Sequence, residues 1–191
     1  RDLRARGVEP MALLSLMARL GSSKPVELAS SLDELAAGFD IESFGAAPTK
    51  FDAEDLFPLT RGVVQGLAFD AVRERIAALG VPEDEAERFW AVTRGNITVL
   101  DDLGEWWTLI RDGAEPAVDA ADQAFVAEAL ALLPPRPWSD ATWGEWTGAV
   151  KAATGRKGKD LFMPLRKALT GRARGPEMAD LMPLLHKVPA V

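Results

Sequence analysis

Apolar positions recur along this chain at three- and four-residue spacing, the period of an amphipathic helix. Met11, Leu14 and Ala18, with Leu13, Met17 and Leu20, form the first such stripe. Pro10 suits the first helical position and Gly21 the stop. Ser31 and Glu34 have the spacing of a capping box, which predicts a short helix ending near Phe39. Further helices are expected over 52–67, 69–79, 82–93, 98–111, 122–132, 139–153, 158–170 and 176–186. Asp52, Asp70, Thr98, Asp122 and Ser139 are candidate N-caps, and Gly80, Gly95, Gly113, Gly155 and Gly171 candidate stops. Pro58 and Pro164 fall inside apolar patterns, where a helix kinks or begins. No segment sustains a period of two, so the chain reads as all-α, a bundle or cage of about nine or ten helices. Loops are expected at 45–51, at 112–121 and at the stiff Pro134–Pro137 connection.

Composition narrows the chemistry. The 191 residues can bury a real core. The chain has no cysteine and a single histidine, His186. Disulfides, thiolate nucleophiles, cysteine-based zinc sites and histidine-rich metal sites are therefore excluded, and a serine–histidine–aspartate triad has little to work with. His186 reads as a surface residue near a helix end. No carboxylate pair calls for an acid–base assignment, so no catalytic and no metal-binding residue is assigned. No apolar run reaches the length of a membrane span and no signal peptide is visible, so no membrane partner and a cytoplasmic location are expected. The chain opens on Arg1-Asp2-Leu3-Arg4 without an initiator Met, which reads as a piece of a longer protein.

The net charge of −7 argues at first against a nucleic-acid partner, but its distribution reverses that. Residues 1–68 carry 7 basic and 10 acidic groups, residues 69–150 carry 6 and 16, and residues 151–191 carry 9 and 3. Lys151, Arg156, Lys157, Lys159, Arg166, Lys167, Arg172 and Arg174 crowd one segment, opposed within it only by Asp160. Such a concentration suits an anionic ligand.

Gly155-Arg156-Lys157-Gly158-Lys159 resembles part of a phosphate-binding P-loop but fails its requirements. Ala153 stands where the first glycine belongs, Asp160 stands where Ser or Thr belongs, and a helix precedes it instead of a strand. Two readings remain: a cationic turn at a helix start that receives a phosphate oxygen, or a solvated loop. The six Trp residues fall in two groups, Trp90, Trp106 and Trp107, and Trp138, Trp143 and Trp146. Core packing is the stronger reading for each. Adjacent Trp106 and Trp107 cannot both point into one interior. Arg166 follows Pro164 and offers a planar fork of donors suited to a base edge. The turn Gly171-Arg172-Ala173-Arg174-Gly175-Pro176 presents backbone groups in a fixed shape, of the kind that reads splayed bases.

At these residues the chain resembles a known family. The run from Thr154 through Leu161-Phe162-Met163-Pro164-Leu165-Arg166 to Gly171, followed by Gly175-Pro176-Glu177-Met178, is similar to the end of bacterial glutamyl-tRNA synthetases. Arg6-Gly7-Val8-Glu9-Pro10, Phe39-Asp40 and Lys50-Phe51-Asp52 match earlier landmarks, and Arg94-Gly95-Asn96 and Trp106-Trp107 match the alphaproteobacterial version. The resemblance runs over essentially the whole chain. It implies an all-α anticodon-binding region from an enzyme that joins glutamate to its tRNA with ATP and magnesium. The chain lacks both class I signatures of that enzyme's catalytic domain. Residues 1–68 would be the end of a stem-contact domain. Residues 69–191 would be the anticodon-binding domain, in two sub-bundles split near 113–121. Arg166 would contact one end of the anticodon, Gly175 and Pro176 the middle base by their main chain, and Met178 would lie just beyond. Arg94 or Asn96 would serve the other end of the anticodon. Arg156, Lys157, Lys159, Lys167, Arg172 and Arg174 would hold phosphates. The partner would be glutamate tRNA and the parent a monomer. Thr60, where Asn is common, and the ending His186–Val191 depart from the family pattern. The alternative is an acidic helical module that docks a protein partner, with a basic C-terminal patch and tryptophan anchors.

Overall fold

A computed structural model describes residues 1–187; the reading of the ending beyond Lys187 lies outside the described residues. Eleven α-helices are present among them: α1 (Asp2–Ala5), α2 (Pro10–Met17), α3 (Leu32–Ala37), α4 (Leu56–Gly66), α5 (Phe69–Ala78), α6 (Glu83–Thr93), α7 (Asp102–Asp112), α8 (Gln123–Ala131), α9 (Thr142–Thr154), α10 (Lys159–Thr170) and α11 (Met178–Leu181). The described residues hold no strand, and pairing is limited to an isolated antiparallel bridge between Ser22 and Phe44. The all-α expectation therefore holds.

The chain divides into two compact units. One comprises Arg1–Glu74 with Ile97–Leu103, the other Arg75–Asn96 with Gly104 onward. In the first unit α2 packs on α4, burying Ala12 and Leu16 with Leu56, Thr60 and Val64. Thr60 accepts a hydrogen bond from the Glu9 backbone N–H at 3.3 Å. The Ser31 hydroxyl accepts from the Glu34 N–H at 3.2 Å, closing one half of the expected cap. The Glu34 carboxylate accepts from Ser30 instead, from its N–H at 2.7 Å and its hydroxyl at 2.6 Å. Pro58 sits in the first turn of α4, where its missing N–H removes no helical bond.

Several expected helix starts are displaced. The helix expected from Thr98 begins at Asp102, because the Asp102 carboxylate accepts from the N–H groups of Thr98 and Val99 at 2.7 and 3.1 Å. Those residues form the lead-in turn, which the Asp102 side chain ties back onto the first turn of the helix. Likewise α9 begins at Thr142, whose hydroxyl accepts from the Ser139 N–H at 2.8 Å. The helix expected over 176–186 is one turn of α-helix followed by a 3₁₀ turn at Met182–Leu184, since Pro183 has no N–H for the α pattern.

The second unit is organised around α10, which packs on both α8 and α9, while α11 packs on α9. Its core holds Phe89, Ile110, Trp146, Val150, Leu161, Leu165, Leu169 and Met178, all 6% exposed or less. Burying side chains of this size contributes about 1.5–3 kcal/mol each. The Trp146 indole N–H donates to the Ala129 carbonyl at 2.7 Å, so this largest core residue leaves no polar atom unpaired.

Candidate nucleic-acid interface

The cationic loop is built by two glycines. α9 ends at Gly155 in the left-handed region (φ 72°), and α10 is entered through Gly158 (φ 59°). Between and beside them, Arg156, Lys157, Lys159 and Lys167 converge on an open cleft of about 750 Å³. Asp119 and Asp122 line the same cleft. Lys167 donates to Asp119 at 2.8 Å, and Arg156 donates to Asp122 at 2.6 Å. Arg156 also lies 4.0 Å from the centre of the Phe125 ring. Pro164 explains a third contact. It sits inside α10, so the Asp160 carbonyl four residues earlier loses its helical donor. Arg156 donates to that carbonyl at 3.3 Å. Arg156 is thus engaged from three sides, whereas Lys157 and Lys159 are exposed and carry no ion pair among the described residues. Within the segment only Asp160 opposes these cations, but in the fold Asp119, Asp122 and Glu105 reach them from distant sequence.

The second group lies around Arg166. α10 stops at Gly171, left-handed at φ 65°, where an added Cβ would stand 2.6 Å from the Glu115 carbonyl. The Thr170 hydroxyl donates to the Arg166 carbonyl at 2.7 Å and accepts from the Arg172 N–H at 3.1 Å, which fixes the start of the turn. Arg172 spans Glu105 at 3.0 Å and lies 4.6 Å over the Trp106 ring. Gly175, at φ 156°, passes so close to Trp106 that a Cβ would meet the ring at 2.9 Å. The same Cβ would stand 3.4 Å from Arg166 Nη1. That Nη1 is buried and has no hydrogen-bond partner in the protein. Burial pushes the Arg166 guanidinium pKa down, and the charge of Glu177 opposes the shift. Nη1 is thus a buried donor left unsatisfied by the protein, which is uncommon in a packed fold. Pro176 is buried, Arg174 is exposed, and Met178 is only 2% exposed. The Met178 side chain is therefore part of the core.

The third group is the 3₁₀ turn Arg94–Asn96, which follows α6 and is exposed throughout. Asn96 and Pro176, 80 residues apart in sequence, line one groove of about 450 Å³ with Arg88, Asp140, Glu177 and Asp180. Arg94 does not line it. Arg88 was not singled out from sequence. It pairs with Asp140 and donates to the Asp180 carbonyl at 3.0 Å, so it braces the groove wall. Its sequence position, a cation after the acidic run Glu83–Glu87, does not distinguish it, because its partners are distant in sequence.

The aromatic groups settle largely in the core. Trp90, Trp106, Trp107, Trp138 and Trp146 are each 7% exposed or less, and Trp143 is half-buried. Both Trp106 and Trp107 are buried because α7 is covered on two sides: Trp106 by Arg172 and Gly175, Trp107 by Phe89 and His186. The surface reading of His186 is corrected. Its ring packs edge-on against Trp107, and Nε2 lies 3.0 Å from Glu85. Its backbone N–H donates to the Ile110 carbonyl at 2.8 Å, which draws the segment onto α7.

These features make an all-α module in which exposed cations flank a buried arginine and a glycine-bounded turn. Residues 83–188 match the family model described as the anticodon binding domain, and the chain belongs to that family. Over 190 residues it is 70% identical to glutamate–tRNA ligase 1 of Cereibacter sphaeroides and 66% identical to glutamate–tRNA ligase 1 of Paracoccus denitrificans. All of this chain is matched in both cases, and it spans 43% of the length of each relative. The fold is also that of a glutamate–tRNA ligase structure from Elizabethkingia meningosepticum, with a TM-score of 0.73 and 20% identity. That match covers 95% of this chain and 39% of the other. No helix among the described residues is long and apolar enough to cross a membrane. No group of His, Cys, Asp and Glu among them is placed to hold a metal ion.

Proposed function

We propose that this chain is the tRNA-recognising portion of a cytoplasmic glutamate–tRNA ligase, which attaches glutamate to its tRNA using ATP and magnesium. The single observation that carries the reading is the unpaired, buried Nη1 of Arg166 set against Gly175, within a chain of the anticodon-binding family. Residues 69–191 would form the anticodon-binding domain and residues 1–68 the end of a stem-contact domain. Arg166 and the 171–176 turn read bases of the anticodon loop. Arg166 supplies donors and the turn supplies main-chain groups. Asn96 presents its amide at the groove it shares with Pro176. Lys157, Lys159 and Arg174 are the exposed cations available to phosphates, while Arg156, Lys167 and Arg172 arrive already paired with carboxylates. Met178 acts from the core and supports the turn. The chain supplies no catalytic group of its own. ATP and magnesium would act in the part of the ligase that these residues do not span.

The test is binding of glutamate tRNA to this chain, followed across salt concentrations. Neutralising about 4 phosphates on a single strand gives a log–log slope of roughly −3. Absence of binding at low salt would sink the reading. A protein-docking module gains little from the structure, since five of the six tryptophans it would use as anchors are core residues.

A further inference from the structure

An aromatic ladder leads from the core to the surface beside Arg166. Trp146 is 1% exposed and its ring stands 5.6 Å from Trp143. Trp143 is half-buried and stands 6.2 Å from Phe162, with the two rings inclined by 37°. Phe162 is 44% exposed. A phenylalanine presented to water on a helix whose neighbouring faces are well packed forgoes much of its burial free energy. Along α10, Lys159 lies three residues before Phe162 and Arg166 four residues after, so the three share one stripe of the helix. The stripe therefore runs cation, exposed ring, buried guanidinium with a free N–H.

Taken together with the anticodon-loop reading, on which this rests, we infer that Phe162 is a stacking platform for one unpaired nucleobase of the RNA loop. The base would neighbour the one that Arg166 contacts. Trp143 backs the Phe162 ring and fixes its plane, and Lys159 lies on the side where the adjoining phosphate would pass. Stacking needs only a π-face, so the platform adds affinity without choosing among the four bases. That division of labour places specificity on Arg166 and affinity on Phe162.

The test uses this chain and a 17-nucleotide RNA stem–loop carrying the anticodon loop of glutamate tRNA, with a series of loops each lacking one base. Phe162→Leu keeps the apolar volume and removes the π-face; Phe162→Trp keeps both. Phe162→Leu is expected to weaken binding by about 5- to 100-fold while moving the thermal midpoint by less than about 2 °C. Phe162→Trp is expected to bind like the parent. One abasic loop should bind the parent and Phe162→Leu equally, because the base that stacks is already gone. Equal weakening of every loop by Phe162→Leu, or no weakening, overturns the platform. If Arg166→Ala weakens the stem–loop and Phe162→Leu does not, the platform alone falls. If the parent chain does not bind the stem–loop, the anticodon reading falls with it.

Discussion

Two cationic regions of the second unit solve the problem of holding charge in different ways. Around the 155–160 loop, Arg156 and Lys167 are neutralised by Asp122 and Asp119, and Lys157 and Lys159 stand in water. Around the 166–176 turn, Arg166 is half-buried, and its Nη1 is enclosed without a partner against a glycine that admits no side chain. The first arrangement is adaptable and electrostatic, and screening by salt acts on it directly. The second is rigid and geometric. It carries a desolvation cost that only a correctly placed acceptor can offset. Under the proposed function, positioning by phosphates and reading of bases would fall to separate parts of one helix and its flanks.

The sharpest way to break this contrast is at Gly175. Gly175→Ala puts a Cβ 2.9 Å from the Trp106 ring and 3.4 Å from Arg166 Nη1. Stability should fall by about 1–3 kcal/mol, measured by denaturant unfolding. Binding of glutamate tRNA should fall further than that loss accounts for, because the turn must move away from Arg166. Next, Arg166→Ala should cost about 1–3 kcal/mol of binding and narrow the gap between the native anticodon and single-base variants. Equal losses on all of them would reduce Arg166 to a phosphate contact. Smaller still, Lys157→Ala and Lys159→Ala should each lower the salt slope by about 1 and weaken all anticodon variants alike. A loss confined to one variant would erase the proposed separation of roles. The smallest effect is expected from Asp119→Asn. Freeing the mostly covered Lys167 from its pair with exposed Asp119 should tighten binding at low salt by a few tenths of a kcal/mol, and the gain should vanish at high salt.

The particular elements differ in how legible they were. The capping signal at Ser31 and the stops at Gly155 and Gly171 were local, since one residue's hydroxyl or its tolerance of positive φ decides them. The helix expected from Thr98 starts later because Asp102, four residues on, binds the Thr98 and Val99 N–H groups and holds them in a turn before the helix. The basic segment was visible as a run. Its partners were not, because Lys167 meets Asp119 and Arg156 meets Asp122 across 48 and 34 residues of chain. Arg88 carried no distinctive local signal, since its partners lie 52 and 92 residues away. Arg166 and the 171–176 turn were candidates from residue type and order alone. That the Met178 side chain sits in the core, and that Asn96 and Pro176 share a groove, followed only from packing.

The sequence by itself determined that this chain is helical, where most helices stop, and that its cations gather after Lys151. Helical periodicity, glycine conformation and charge count are properties of residues and their near neighbours. Only the tertiary structure decided which of those cations remain available. Ion pairing and burial depend on carboxylates and rings that arrive from distant parts of the chain, so two arginines that look equivalent on paper, Arg156 and Arg166, end with opposite fates. One has its guanidinium engaged by Asp122, the Asp160 carbonyl and Phe125, and the other keeps an enclosed donor free.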